Sequence, residues 1–279
     1  MKFSSTQWRI ISALILLPIV LGAVVIGEIA FSLLIILVLF QASREYGQML
    51  KRKEYDLSSL LMWAIILMWV ATARWLDERW LVPGLTWLLL LSILWILYQH
   101  ETTPDLSQPV EQWALMVAGS LYLGIGGAHL LHLRAHSDGL WWILTTLFVV
   151  WIADTAAFYI GRAWGKHKIA PSLSPGKSWE GIAAGVVGGI LTGVGLAALW
   201  PWIAIAARPT TPVIWQGALL GALLAILTPA GDFFISLIKR QVGVKDTSNL
   251  IPGHGGVLDR IDSIIWAGII AWTFVSLWG

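Results

Sequence analysis

The sequence predicts an all-α, polytopic membrane protein, and three observations carry that reading. Of 279 residues, 57% are hydrophobic and only 12% charged, whereas soluble domains run about a quarter charged. The apolar residues fall in continuous runs of about 20, the length of a bilayer-crossing helix, rather than in the short alternating segments of a membrane β-barrel. The third sign is the 19 tryptophans, a residue type that collects at membrane–water interfaces.

Nine runs qualify as spans: 8–27, 29–43 (extending to Leu50), 59–76, 80–98, 113–133, 139–161, 180–205, 213–238 and 260–278. The hydrophilic connections are 44–58, 99–112, 162–179 and 239–259. The first span follows Lys2 and Arg9 but has no small-residue cleavage site before the next apolar run, so a retained helix is expected rather than a secretory signal. With nine spans and a cytoplasmic N-terminus, 14 of the 18 basic residues face the cytoplasm, leaving Arg74, Arg79, Arg134 and Arg208 outside; positive residues favour the inside. Two regions are expected: 1–138, about five spans with ordinary loops, and 139–279, about four spans with polar groups in and beside them.

This composition excludes a soluble enzyme, a disordered chain and a nucleic-acid-binding module. The net charge of +2 implies no polyanionic partner, and the absence of cysteine excludes disulfides, thiolate nucleophiles and Cys-type zinc sites.

The second region carries the chemistry. Its acids are Asp154, Glu180, Asp232, Asp246, Asp259 and Asp262. Asp154 and Asp232 fall inside apolar runs, where a carboxylate costs about 2.5–3.5 kcal/mol at span centre and usually serves a function. Pro229 and Gly231 precede Asp232. Proline removes a helical hydrogen bond, and in membranes such breaks persist where the backbone lines a cavity. Helical spacing places Asp232, Ser236 and Lys239/Arg240 on one face, and Asp259, Asp262 and Ser263 on another. Between them lies a glycine-rich segment with Lys245, Asp246 and His254, suited to close approach of backbone N–H groups to phosphates. A second cluster, Ser174-Pro-Gly-Lys177-Ser178-Trp-Glu180-Gly181, precedes a helix start, a natural anion site. His254 reads as a hydrogen-bonding or phosphate-contacting group, and His129, His132 and His136 as interfacial residues near the opposite membrane side. Acids for a hard cation and bases for phosphate oxygens compose a phosphoryl-transfer site, with Mg²⁺ the natural ion for oxygen-only ligands. A secondary transporter would also carry a kinked helix and buried acids, but it leaves the phosphate-binding composition of 239–260 unexplained.

The run Ser236-Leu-Ile-Lys239-Arg240-Gln-Val-Gly-Val-Lys245-Asp246-Thr-Ser-Asn-Leu-Ile-Pro-Gly-His254-Gly-Gly-Val-Leu-Asp259-Arg260-Ile-Asp262-Ser263 resembles the signature of the phosphatidate cytidylyltransferases. The 174–181 cluster resembles that family's Ser-Pro-Lys-Lys-Thr-x-Glu-Gly motif, with Gly176 in place of the first Lys and Ser178 in place of Thr. Gly161-Arg162 and Asp154 also fit. The resemblance spans about 151 to the C-terminus; the first half matches in hydropathy only.

The resemblance implies an enzyme that joins CTP and phosphatidic acid into CDP-diacylglycerol with release of pyrophosphate. It implies dependence on Mg²⁺, an accompanying monovalent cation such as K⁺, and a homodimer with one site per protomer. Asp232 and Asp259 are expected to hold metal and Asp246 to complete its shell or orient a water. Lys239, Arg240, Lys245 and Arg260 would hold the triphosphate, with Lys177 and Ser178 near the lipid phosphate or the β/γ-phosphates. Ser174, Glu180, Ser236, His254 and Asp262 belong to the same motifs and are expected to line the substrate site. The expected location is a bacterial cytoplasmic (inner) membrane, with the site facing the cytoplasm.

Overall fold

The computed structural model describes residues 5–103, 108–203 and 213–278. Lys2 and Arg208, two of the cations used for orientation, lie outside the described residues. The helices are α1 (Ser5–Ile26), α2 (Glu28–Leu50), α3 (Ser59–Arg74), α4 (Leu81–Thr102), α5 (Pro109–Ala135), α6 (Gly139–Trp164), α7 (Trp179–Ile203), α8 (Ile214–Leu227), α9 (Pro229–Gln241) and α10 (Leu258–Trp278). Each predicted span is thus helical, the eighth being divided into α8 and α9. Among the described residues, seven helical segments are long and apolar enough to cross a membrane; Ile11–Ile26 and Ser59–Arg74 are apolar but shorter. The α3 helix is delimited locally. Ser58 caps its start by accepting from the Leu61 N–H at 3.4 Å, and Trp75 and Leu76 both fold back onto the Ala71 carbonyl at its end.

Gly27, at φ 137°, separates α1 from α2, a conformation that residues with a Cβ rarely adopt. Glu28 then opens α2 and pairs with Arg74 at 3.0 Å, and Arg134 Nε donates to the Val24 carbonyl at 3.0 Å. These contacts tie together the ends of α1, α3 and α5 far from the motif loops. The α5 helix starts with Pro109 in its first turn, where a missing N–H costs nothing. It packs against α2, α3 and α10 and so forms the centre of the bundle. By contrast α4 presents Trp87, Leu94 and Tyr98 outward, burying only Ser92, which accepts from Trp113 Nε1 at 2.8 Å.

The α6, α7 and α8 helices form the tightest layer. A Cβ on Gly193 would meet the Gly217 backbone, and one on Gly189 the Gly221 carbonyl. Main chains touch where side chains are absent, the usual basis of helix association in lipid. Trp141 and Trp142 are buried, unlike the outward-facing Trp164, Trp179, Trp202 and Trp278. Trp141 and Trp142 are thus core residues and not the interfacial anchors expected of tryptophans in this chain.

The connection 162–179 contains an antiparallel hairpin of β1 (Lys168–Ala170) and β2 (Ser174–Ser178), with Lys168 opposite Ser178. No periodicity announced it. It is closed by Trp179 N–H donating to the His167 carbonyl at 3.0 Å.

Replacing Gly193 by Leu is expected to force α7 from α8 and destabilise the bundle by about 1–3 kcal/mol. Gly195→Leu, where an added Cβ meets nothing within 4 Å, serves as the matched control. Thermal unfolding in detergent should shift for the first variant only.

Candidate functional site

Chemistry-bearing residues converge where the C-terminal ends of α2 and α6, the hairpin, the start of α7, the whole of α9 and the start of α10 meet. The geometry begins with the break before α9. Thr228 ends α8, with both its N–H and its hydroxyl bonded to the Leu224 carbonyl. Pro229 has no N–H to continue the ladder, and the chain restarts with Asp232 in the first turn of α9, where the helix dipole favours an acid. Gly231 lies against the backbone of Asp262 and the ring of Trp266, and any Cβ there would collide with them. This approach sets Asp232, the next residue of α9, beside Asp262 of α10.

Lys177, from the second hairpin strand, reaches the same point. Its Nζ lies 2.7 Å from Asp232 Oδ2 and 4.3 Å from the centroid of the Phe233 ring. Asp154, on α6, lies within charge–charge range of Lys177, Asp232 and Arg260. Tyr122, on α5, donates to the Asp262 carbonyl at 3.2 Å and packs on Phe234 at 5.4 Å.

Asp259 sits in different company. Its Oδ1 accepts from Lys239 Nζ at 2.7 Å. Its Oδ2 accepts from the Thr247 N–H at 2.8 Å and the Gly256 N–H at 3.0 Å, with the Thr247 hydroxyl at 2.9 Å. Asp259 is 7% exposed and Lys239 equally so. The pair therefore fastens α9 to α10 and both ends of the intervening loop to the same carboxylate.

The other expected residues divide by position. Ser178 is buried, and its Oγ accepts from the Gly181 N–H at 3.2 Å, capping α7; a Cβ on Gly165 would strike it. Glu180 accepts from the His167 N–H at 3.2 Å and pairs with its Nδ1 at 2.6 Å, closing the hairpin. Ser236 is buried on the same α9 face as Lys239. Arg240, Lys245, Asp246 and Arg260 are exposed, Arg240 lying 3.4 Å from the Val244 carbonyl. His254 donates its N–H to Ile251 in the turn of the loop, and Ser174 lies opposite Ala170 in the hairpin. Of the two residues expected to hold metal, Asp232 pairs with Lys177 and lies beside Asp262, and Asp259 faces Lys239 and the loop.

The sequence reading missed Glu45. This α2 residue is 0% exposed, and its carboxylate is surrounded by donors: the Val257 and Leu258 N–H groups at 3.0 and 2.9 Å, the Ser248 and Thr247 hydroxyls at 2.8 and 3.1 Å, and Gln41 Nε2 at 3.0 Å. It lies in the 44–58 stretch read as a hydrophilic connection. Extending α2 to Leu50 places an acid inside a helix, and that was the available signal. Tyr122 carried no signal, being one aromatic in an apolar run.

Among the described residues no group of three or more His, Cys, Asp or Glu is arranged to hold a metal by itself. The neighbouring carboxylates of Asp232 and Asp262 nevertheless fit Mg²⁺, which is commonly held by one or two carboxylates and keeps its other positions for water and phosphate oxygens. Like-charged neighbours of this kind repel unless a cation joins them.

Two measurements separate the structural members of the cluster. Lys239→Ala leaves Asp259 buried without its cation and is expected to cost about 3–5 kcal/mol. Ser178→Ala removes only a cap and should cost about 1 kcal/mol. Thermal unfolding of the two variants in one detergent should rank them in that order.

Comparison with known proteins gives this geometry its setting. The model of the cytidylyltransferase family matches residues 7–278. A phosphatidate cytidylyltransferase of Brucella suis biovar 1 (strain 1330) is 32% identical over 288 residues, covering 98% of this chain and 94% of the relative. A phosphatidate cytidylyltransferase of Haemophilus influenzae is 43% identical over 148 residues, covering 53% of this chain and 49% of the relative. One from Mycobacterium bovis is 37% identical over 144 residues, covering 50% of this chain and 43% of the relative. With the family match spanning nearly the whole bundle, first half included, this chain belongs to the cytidylyltransferase family and is a multi-pass membrane nucleotidyltransferase.

Proposed function

We propose that the protein transfers CMP from CTP to phosphatidic acid, giving CDP-diacylglycerol and pyrophosphate, at the cytoplasmic face of the membrane. The observation that carries this reading is the meeting of Lys177, Asp232 and Asp262 beside the Asp259–Lys239 pair at one end of an apolar helix bundle. The relatives named for phosphatidate support the choice of lipid.

A phosphate oxygen of phosphatidic acid attacks the α-phosphorus of CTP. A new P–O bond forms, the bond from the α-phosphorus to the bridging oxygen breaks, and pyrophosphate departs with the electron pair. The phosphate monoester is already an anion, so positioning and charge neutralisation dominate over general base catalysis. Asp232 and Asp262 would hold Mg²⁺, which when bound neutralises phosphate charge as a Lewis acid. Asp259 maintains the loop and the place of Lys239. The acids Asp154, Asp232, Asp259 and Asp262 outnumber the nearby cations Lys177, Lys239 and Arg260 by one, so a divalent ion would turn the cluster net positive and suit it to a triphosphate. Lys177, on the hairpin near the exposed Trp179 and over the Phe233 ring, is suited to a phosphate whose acyl chains remain in the bilayer. Arg260, in the first turn of α10, and Lys245, in the loop, are exposed and would meet the outer phosphates. A homodimer in the inner membrane, each protomer with its own site and K⁺ accompanying Mg²⁺, completes the proposal.

Detergent-purified protein with radiolabelled CTP, phosphatidic acid and Mg²⁺ should yield a lipid-extractable CMP product that disappears with EDTA. Asp232→Asn should reduce turnover by at least about 10²–10³-fold while the protein remains folded. Wild-type turnover in Asp232→Asn would remove this residue from the mechanism. No labelled lipid from a folded preparation offered several lipid phosphates would overturn the reaction itself and turn attention to substrate flux in liposomes.

A further inference from the structure

We propose that Glu45, on α2 and far in sequence from every motif, is a positioning residue that sets the shape of the 245–258 loop, through which the triphosphate is held. The inference rests on the nucleotidyl-transfer reading for what the loop does, but not for how it is held.

The carboxylate is fully buried and takes its donors from both ends of the loop. Ser248 Oγ and Val257 N–H reach Oε1, where Gln41 also donates; Leu258 N–H reaches Oε2, and the Thr247 hydroxyl lies between Oε2 and Asp259 Oδ2. Val257 and Leu258 are at the start of α10, so their N–H groups have no acceptor within that helix. A carboxylate from α2 supplies one and sits at the positive end of the dipole. Gly256 makes this possible, because a Cβ there would strike both Glu45 Oε2 and Thr247 Oγ1. A second strut comes from α1, where Ser12 Oγ donates to the Pro252 carbonyl at 2.8 Å. The loop that follows Lys239 and leads into Asp259 is thus held from the first half of the chain. Both Glu45 oxygens are taken up by these donors, which separates positioning from contact with the reacting phosphates.

The chemistry of the donors supplies the test. The serine and threonine hydroxyls can rotate and accept instead, but backbone N–H groups cannot. In Glu45→Gln, whichever way the amide turns, its NH₂ faces either Val257 or Leu258 N–H. The variant keeps side-chain size, so the core of α2 is preserved. Hydrogen exchange should show lost protection confined to 245–258, with the other helices unchanged. In the CMP-transfer assay kcat/KM for CTP should fall by about 10²-fold, while the KM for phosphatidic acid stays within twofold. Ser248→Ala, which removes one loop donor and leaves the bundle untouched, should move the same quantities in the same direction by less; it carries the test if Glu45→Gln does not fold. Unchanged exchange in the loop with unchanged CTP kinetics would falsify the proposal, as would protection lost evenly across the bundle. If the wild type transfers no CMP, the exchange experiment still decides whether Glu45 holds the loop, and only the reaction assignment fails.

Discussion

A carboxylate with almost no exposure to water governs the end of this bundle where the motif residues meet. Asp259 receives the Lys239 ammonium on one oxygen and donors from Thr247 and Gly256 on the other. A buried charge is tolerable only when paired and hydrogen-bonded, so the network must form as a unit. Its members come from α9, from both ends of the loop after α9, and from the first turn of α10. Satisfying one acid therefore fixes the spacing of two helices and the path of the segment between them. Asp232 and Asp262 acquire their mutual geometry from the same packing.

Close backbone approach is the complementary constraint. Gly231 lets α9 meet α10 at Asp262, so the neighbouring acids depend on a residue without a side chain. Gly161, Gly165 and Gly181 enclose Ser178 in the same way, seating the hairpin on the end of α6 and the start of α7. The hairpin in turn delivers Lys177 to Asp232. The cation and the acids thus come from separate layers, the α6–α7 layer and the α9–α10 pair, each with its own small-residue contacts. A membrane bundle has little hydrophobic force between helices, since lipid is as apolar as the side chains. Tight packing and polar bonds are left to define the site.

Much of the fold was legible because a membrane span is a local property. Length and hydropathy decide it, and all nine segments are helical. The break at Pro229 was legible for the same reason, as was the shared face of Asp259, Asp262 and Ser263. The motif residues were legible as candidates, but the partner each one meets was not. Ser178, expected near phosphate, is the buried cap of α7, and Glu180 holds the hairpin through His167. Spacing along a helix states which residues share a face, not which partner that face meets. Glu45 illustrates this best, since four of its five donors lie about 200 positions away in the sequence.

The sequence alone determined that this chain is a helical membrane protein with acids and cations gathered in its second half and a phosphoryl-transfer composition. Each of those properties is carried by composition, by period or by spacing within a few turns. Tertiary structure decided that Asp232 is matched with Lys177 while Asp259 is matched with Lys239, and that an acid of the first half anchors the loop of the second. Buried charges choose their partners by three-dimensional proximity and by the donors left unpaired at helix ends. Neither is a function of distance along the chain.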